Sequence, residues 1–259
     1  MIEPPPTLLH KFYSLEGGKF EQIKQLLSNN VIYFSKCDEF NDPWECKPSF
    51  RYQTSPTSMG DYFYRLISRL KPEIPEAKRR QDANAMGENW LNNPEQHLSD
   101  ISMIQSQILA KYGIFCMSAS KTHPLLWAHY ASGHRGLCLT FATDASQKAF
   151  YYAQRVIYQK DYPVAELDGE DFQQLYNASL LTKSDDWSYE QEWRLCWKER
   201  SGLQSFPPDA LVALSFGAMI DSIKRDEIIS LVNARSHRPA LFSAAVNSKS
   251  YSLDFTTIS

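Results

Sequence analysis

A chain of 259 residues, 43% hydrophobic and 13% aromatic, can bury a large core as one big domain or two small ones, which excludes an intrinsically disordered chain. A formal net charge of −3 excludes general attraction to phosphate backbones or anionic lipid and leaves nucleic acid only a local basic patch. No run approaches the roughly 20 apolar residues that span a bilayer, and MIEPPPTLLHKF lacks the basic and apolar segments of a secretion signal, so the expectation is a soluble, cytoplasmic protein with no membrane partner.

LLHKFYS reads as a first strand. KFEQIKQLLSNN then sets Phe20, Ile23, Leu26 and Leu27 at helical spacing and stops at Asn29 and Asn30. VIYFS is a short β-branched and aromatic strand, and KCDEFNDPWE is a turn in which Pro43 pushes Asp42 into an extended conformation. Asn41, Asp42 and Glu45 are polar groups beside a strand end and could serve function. The plainer reading is a turn that Asn41 caps while Trp44 buries its ring.

Residues 55–112 are polar, rich in proline and charge, and helical where they are periodic. Phe63, Leu66, Ile67 and Leu70 form one apolar stripe; Leu98, Ile101, Ile104 and Ile108 form another that ends before Gly113. Lys78, Arg79 and Arg80 read as a solvated helix face, or as a phosphate contact if the target is nucleic acid.

GIFCMSAS and GLCLTFA are strands bracketing a short helix, HPLLWAHYASG, with Pro124 near its start and Gly133 after its end. RVIYQ follows as a strand and EDFQQLYNASLL as a helix. ALVALSFG, ALFSAAV and YSLDFTTI are further strands, interrupted by a helix through KRDEIISLVNA. Many short strands with scattered helices and no βαβ rhythm indicate the α+β class: one domain over 1–259 with a helical insertion at about 55–112.

Two glutamates stand one residue apart in SDDWSYEQEWRLCW, residues 184–197. On a strand, Tyr189, Gln191, Trp193, Leu195 and Trp197 face one way and Glu190, Glu192, Arg194 and Cys196 the other. This predicts β structure over 189–196, with both carboxylates on one side of a sheet, about 7 Å apart and facing a cleft. The competing reading is an edge strand with a solvated face, on which Arg194 and Lys198 neutralise the acids.

His123, His129 and His134 lack the spacing of a helical zinc pair, and no Glu or Cys lies near to complete a site, so no metal is expected. Cys37, Cys46, Cys116, Cys138 and Cys196 are scattered without a C-x-x-C pair and read as small core residues rather than disulfides, zinc ligands or nucleophiles.

The segments LLHKFYSLE, VIYFSKCDEFNDPWE, FCMSASKTHPLLWAHYASGHRGLCLTF, LLTKSDDWSYEQEWRL and LVALSFGAMI together resemble, in order, those of the bacterial domain-of-unknown-function family 2971. A more distant resemblance is to mono-ADP-ribosyltransferases: Glu190-Gln191-Glu192 is similar to their E-x-E motif, FCMSAS to their Ser-Thr-Ser strand, and LLHKFYS occupies the place of their first-strand His or Arg. Ala119 stands where threonine is usual, and the first-motif position is either His10 or Lys11.

The resemblance implies mixed, mainly antiparallel sheets around a cleft and NAD as substrate. It makes Glu192 and Glu190 the catalytic pair. His10 or Lys11, Tyr13, Ser118, Ser120, Trp127, Tyr130 and Arg194 would contact NAD, with Trp127, Tyr130 or Trp187 holding the nicotinamide ring. It also implies a macromolecular acceptor, protein or nucleic acid, and a toxin or phage-defence setting with an antitoxin or regulatory protein as partner. The alternative is a non-catalytic module that binds a nucleotide or partner in the same cleft.

Overall fold

The structure is a computed structural model, and it describes residues 3–51, 56–144, 148–166 and 172–258. Residue 55, where the helical insertion was expected to begin, and residues 170–171, where EDFQQLYNASLL starts, lie outside the described residues.

In chain order the strands are β1 (Leu8–Tyr13), β2 (Val31–Phe34), β3 (Ser49–Arg51), β4 (Tyr112–Ser118), β5 (Leu137–Ala142), β6 (Gln154–Arg155) and β7 (Ile157–Gln159). They continue as β8 (Val164–Glu166), β9 (Thr182–Ser184), β10 (Glu192–Lys198), β11 (Gly202–Ser205), β12 (Leu211–Phe216), β13 (Ala240–Val246) and β14 (Leu253–Ile258). The helices are α1 (Lys19–Asn29), α2 (Pro56–Leu70), α3 (Glu76–Asn92), α4 (Pro94–Leu109), α5 (Pro124–Tyr130), α6 (Lys148–Tyr151), α7 (Phe172–Tyr176) and α8 (Ser222–Asn233). The class is α+β, and the chain divides into two compact units: residues 1–40, 111–160 and 183–259, and residues 41–110 with 161–182.

The first unit is built on an eight-stranded sheet of order β14-β13-β12-β5-β1-β4-β10-β6. The pairings are antiparallel apart from β12 with β13, which α8 connects in sequence. Strand alternation divides the side chains between two faces. On one, Leu9, Phe115, Met117, Leu139, Phe141, Trp193 and Leu195 form the main core with Ile23, Leu26 and Leu27 of α1 and Ile228 and Val232 of α8. On the other, Phe12 and Cys138 pack beneath Leu126, Trp127 and Ala131. The close return of the chain from α5 to β5 requires glycine at 136, because a Cβ there would collide with the Tyr13 carbonyl.

The two middle strands are joined loosely. β1 and β5 pair along six residues and β4 and β10 along seven, whereas His10↔Ser118 is the pair recorded between β1 and β4. The sheet is therefore two well-zipped halves that meet at His10 and Ser118.

The second unit is mainly helical. Met59, Phe63, Ala83 and Trp90 make a core between α2 and α3, whose backbones approach closely at Gly60 and Gly87. The first apolar stripe contributes to this core, as Phe63 is buried and Leu66 and Ile67 pack against it. The second does not: Ile104 and Ile108 are exposed, and the Ile101 side chain lies outside the described set. α4 packs instead through Leu109, which is buried, and Gln105, whose Nε2 donates to Ser179 Oγ at 2.6 Å. These two are four residues apart and so share a face that the Ile104 and Ile108 stripe does not occupy.

Three local expectations are corrected. RVIYQ is not one strand: it breaks at buried Val156, whose N–H donates to the Glu192 carbonyl, so β6 pairs with β10 while β7 pairs with β9. In FNDPWE the cap is Asp42 rather than Asn41; its carboxylate accepts from the Trp44 N–H at 2.9 Å, and the Trp44 ring is turned outward and exposed. EDFQQLYNASLL is α-helical over α7 and then widens into a π-turn at Asn177–Leu181, ended by Thr182 Oγ1 donating to the Asn177 carbonyl. Lys78 and Arg80 pair with Asp82 and Asp61, which makes their helix face a solvated one.

Candidate active site

The predicted strand over 189–196 begins three residues late, and the cause is local. Ser184 accepts a hydrogen bond from the Asp186 N–H and opens a 3₁₀ helix over Asp185–Glu190. Gln191 then takes a left-handed conformation, φ 46°, and only Glu192 enters β10. Glu190 and Glu192 are thus not alternate residues of one pleat. The left-handed residue swings Glu190 back, and the two carboxylates meet on a third side chain.

That side chain is Lys183 of β9. Its Nζ lies 2.7 Å from Glu190 Oε2 and 3.2 Å from Glu192 Oε2. Arg194, two residues along β10 on the same face as Glu192, donates through Nε to Glu192 Oε1 at 2.8 Å and through Nη2 to Oε2 at 3.2 Å. Tyr130, at the end of α5, donates to Glu190 Oε1 at 2.5 Å. The Glu192 N–H donates to the Tyr158 hydroxyl at 2.8 Å, and the Phe40 ring lies 5.3 Å from the Arg194 guanidinium. All four charged side chains are buried, at 1–7% exposure, so the carboxylates do not open onto a cleft as expected from sequence. A cleft of about 460 Å³ lies elsewhere in this unit, between Pro124, His134 and the turn joining β13 to β14.

The two acids have opposite electrostatics. Burial lifts the Glu190 carboxyl above the ordinary range; Lys183 opposes this and the negative Glu192 adds to it. Burial would also lift Glu192, but the charges of Arg194 and Lys183 outweigh it and hold the carboxyl well below the ordinary range. Glu192 is therefore firmly ionised, and Glu190 is the better proton acceptor of the pair. Burial, then the negative Glu190, pushes the Tyr130 phenol far up, so it keeps its proton and acts as a hydrogen-bond donor to Glu190. Cys116, opposite Arg194, is also pushed well up by burial and remains a thiol.

Register brings in the remaining candidates. Ser118 of β4 is the direct cross-strand partner of both Glu192 on one side and His10 on the other. Directly opposed residues face the same way, so His10, Ser118 and Glu192 form one row across three strands, on the side away from the main core. Ser118 Oγ lies 2.5 Å from the Glu190 carbonyl oxygen, and the Ser120 N–H donates to it at 3.0 Å. Ser120 thus braces Ser118 through its backbone. His10 Nδ1 lies 3.0 Å from Thr140 Oγ1, and burial, with Lys121 nearby, holds the imidazole down to about 4, neutral at pH 7.

Lys11 and Tyr13 alternate to the other face of β1, where the Lys11 ammonium sits 5.3 Å from the Phe115 ring and Tyr13 packs against the main core. The structure does not bring them to the carboxylates. Trp127 is a further correction: it is fully buried, edge-on to Phe12, with Nε1 donating to the Lys121 carbonyl, so it has no free face for a nicotinamide ring. The aromatic surface beside the network is Trp187, half-buried 4.9 Å from Lys183 Nζ, with Tyr189 against it and His123 stacked on Tyr189 at 5.1 Å.

Lys183 and Tyr158 were missed by sequence reasoning. Lys183 carried a faint signal, a lone lysine directly after the apolar LLT; Tyr158 carried none. Among the described residues no cluster of His, Cys, Asp and Glu is arranged to hold a metal ion, and no helix is long and apolar enough to cross a membrane.

Residues 126–195, which contain Tyr130, Lys183, Glu190, Glu192 and Arg194, match the family model described as "Protein of unknown function (DUF2971)". Comparison with curated proteins and comparison with solved structures each returned no match. The matched stretch contributes the acids, both their cations and the Tyr130 phenol, while His10 and Ser118 come from strands before it.

Proposed function

We propose that this protein is an ADP-ribosyltransferase-like enzyme that cleaves NAD and transfers ADP-ribose to a macromolecule. The observation that carries the reading is the cross-strand row His10, Ser118, Glu192: Ser118 of the middle motif directly opposes both Glu192 of the E-x-E motif and His10, one of the two first-motif candidates. They lie where the sheet's two halves meet at a single pair, which suits an ADP-ribosyltransferase-like sheet around a ligand site.

In the proposed reaction the bond between nicotinamide nitrogen and ribose C1′ breaks, its electron pair leaves with neutral nicotinamide, and positive charge develops on the ribose. Glu192, kept ionised and oriented by Arg194, stabilises that charge. The acceptor's nucleophile bonds to C1′ and gives its proton to Glu190, whose raised affinity for protons suits a general base. Ser118 and Ser120 brace the site, and neutral His10 offers a hydrogen-bonding ring to the NAD ribose. The toxin or phage-defence setting, the identity of the acceptor and a regulatory partner rest on the resemblance alone.

A second reading, a non-catalytic nucleotide- or partner-binding module, is favoured by one specific observation: Lys183 and Arg194 neutralise both acids in a buried network. Incubating the purified chain with NAD, with and without cell lysate, separates the two. Nicotinamide release with labelled macromolecule supports the transferase, and release without labelling supports a glycohydrolase. Nucleotide binding without release leaves the module.

A further inference from the structure

Every oxygen of the two carboxylates already has a donor: Tyr130 and Lys183 on Glu190, Lys183 and Arg194 on Glu192. A ligand that brings positive charge to Glu192 must take the place of one of them. Arg194 is the least movable, being 1% exposed, doubly bonded to Glu192 and set against Phe40. Tyr130 is neutral, and its departure would not balance an incoming charge. Lys183 carries a compact ammonium on a flexible four-carbon stem, and it already makes a cation–π contact with the Trp187 ring 4.9 Å away, a contact that could hold it once it leaves the carboxylates.

We propose that Lys183 is a displaceable counter-ion of this site, yielding its place on Glu190 and Glu192 to the positive ring of an oxidised nicotinamide nucleotide. The inference rests on the NAD reading above. The exchange replaces one positive charge by another, so the buried acids are never left uncompensated, the state that is most costly in a low-dielectric interior. A neutral ligand of the same shape has no such route: it must either leave Lys183 in place, blocking the carboxylates, or displace it and strip them of a cation. NAD and NADH differ in this respect, since one ring is a pyridinium and the other a neutral dihydropyridine.

Affinities of NAD and NADH for the intact chain, measured by calorimetry at low temperature, test the proposal with Lys183→Met and Lys183→Arg. Lys183→Met, which removes the cation that NAD has to displace, is expected to tighten NAD at least tenfold, whereas Lys183→Arg retains the charge and should not tighten it. A Lys183→Met protein that binds NAD no more tightly than wild type overturns the proposal. Should Lys183→Met fail to fold, amine acetylation of the wild-type protein, read by peptide mass spectrometry, serves instead: labelling at Lys183 should rise several-fold with saturating NAD and not with NADH. Bound NAD with unchanged labelling overturns the displacement while leaving the NAD reading intact. Absence of binding by either nucleotide to the wild type overturns the NAD reading, and this inference with it.

Discussion

At the scale of single residues, Glu192 and His10 lead to tests that differ in kind. Glu192→Gln keeps the size but removes the charge on which transition-state stabilisation depends, so nicotinamide release should fall on the order of 10²-fold or more with a smaller change in NAD binding. Glu192 is not the exposed strand residue whose loss would cost almost nothing. Its removal leaves Arg194 buried beside an uncharged amide, and the variant should also lose on the order of 3 kcal/mol of stability. Activity must then be measured well below the variant's melting temperature, and undiminished release from folded protein would remove Glu192 from the chemistry. His10 gives a pH dependence instead. An unfolded imidazole takes its proton near 6.5 and the buried one near 4, so between those values the unfolded chain holds more protons. Stability from this group is complete above 6.5 and declines as pH falls toward 4. A pH series of melting temperatures should show wild type losing more than His10→Gln over that window; parallel curves would contradict the burial assigned to His10.

At the scale of elements, the sequence was most readable where one residue type settles a boundary and least readable where backbone handedness does. Asn30 ends α1 in the left-handed conformation that asparagine tolerates, and Pro124 opens α5, both as read from sequence. Gln191 carries no such mark, since glutamine rarely adopts positive φ, yet its φ of 46° separates the 3₁₀ helix from β10 and turns Glu190 onto Lys183. Alternation along SYEQEWRL therefore assigned a shared face to Glu192 and Arg194 correctly and gave the wrong route for Glu190. Exposed Gln191 isolates this backbone effect. Gln191→Gly should be neutral or stabilising by up to about 1 kcal/mol, while Gln191→Val should cost at least about 1–2 kcal/mol because a β-branched residue resists positive φ. Chemical denaturation measures both. Nicotinamide release should survive the glycine change and collapse with valine; a valine variant as stable as wild type would mean that this turn does not hold Glu190.

At the scale of the whole molecule, the α+β class followed from the rhythm of short strands, but the division into units did not. Each unit is assembled from segments distant in sequence: residues 161–182 join 41–110, and the network draws on β1, β4, α5, β9 and β10. Local periodicity reports which face of an element is apolar, not which distant segment covers it, and so Lys183 was invisible as a partner of Glu190 and Glu192. All the residues of the candidate site, from His10 to Arg194, belong to the first unit, while Met59, Phe63, Ala83 and Trp90 form a separate core in the second. Trp90→Ala should therefore act on the second unit alone. Truncating a buried tryptophan costs about 3–5 kcal/mol, enough to split a calorimetric melt into two transitions, of which only the earlier one moves. Below that first transition, nicotinamide release per folded first unit should match wild type. If release is lost in step with the second unit's melting, the chemistry depends on residues 41–110 or 161–182, and a site confined to the first unit is wrong.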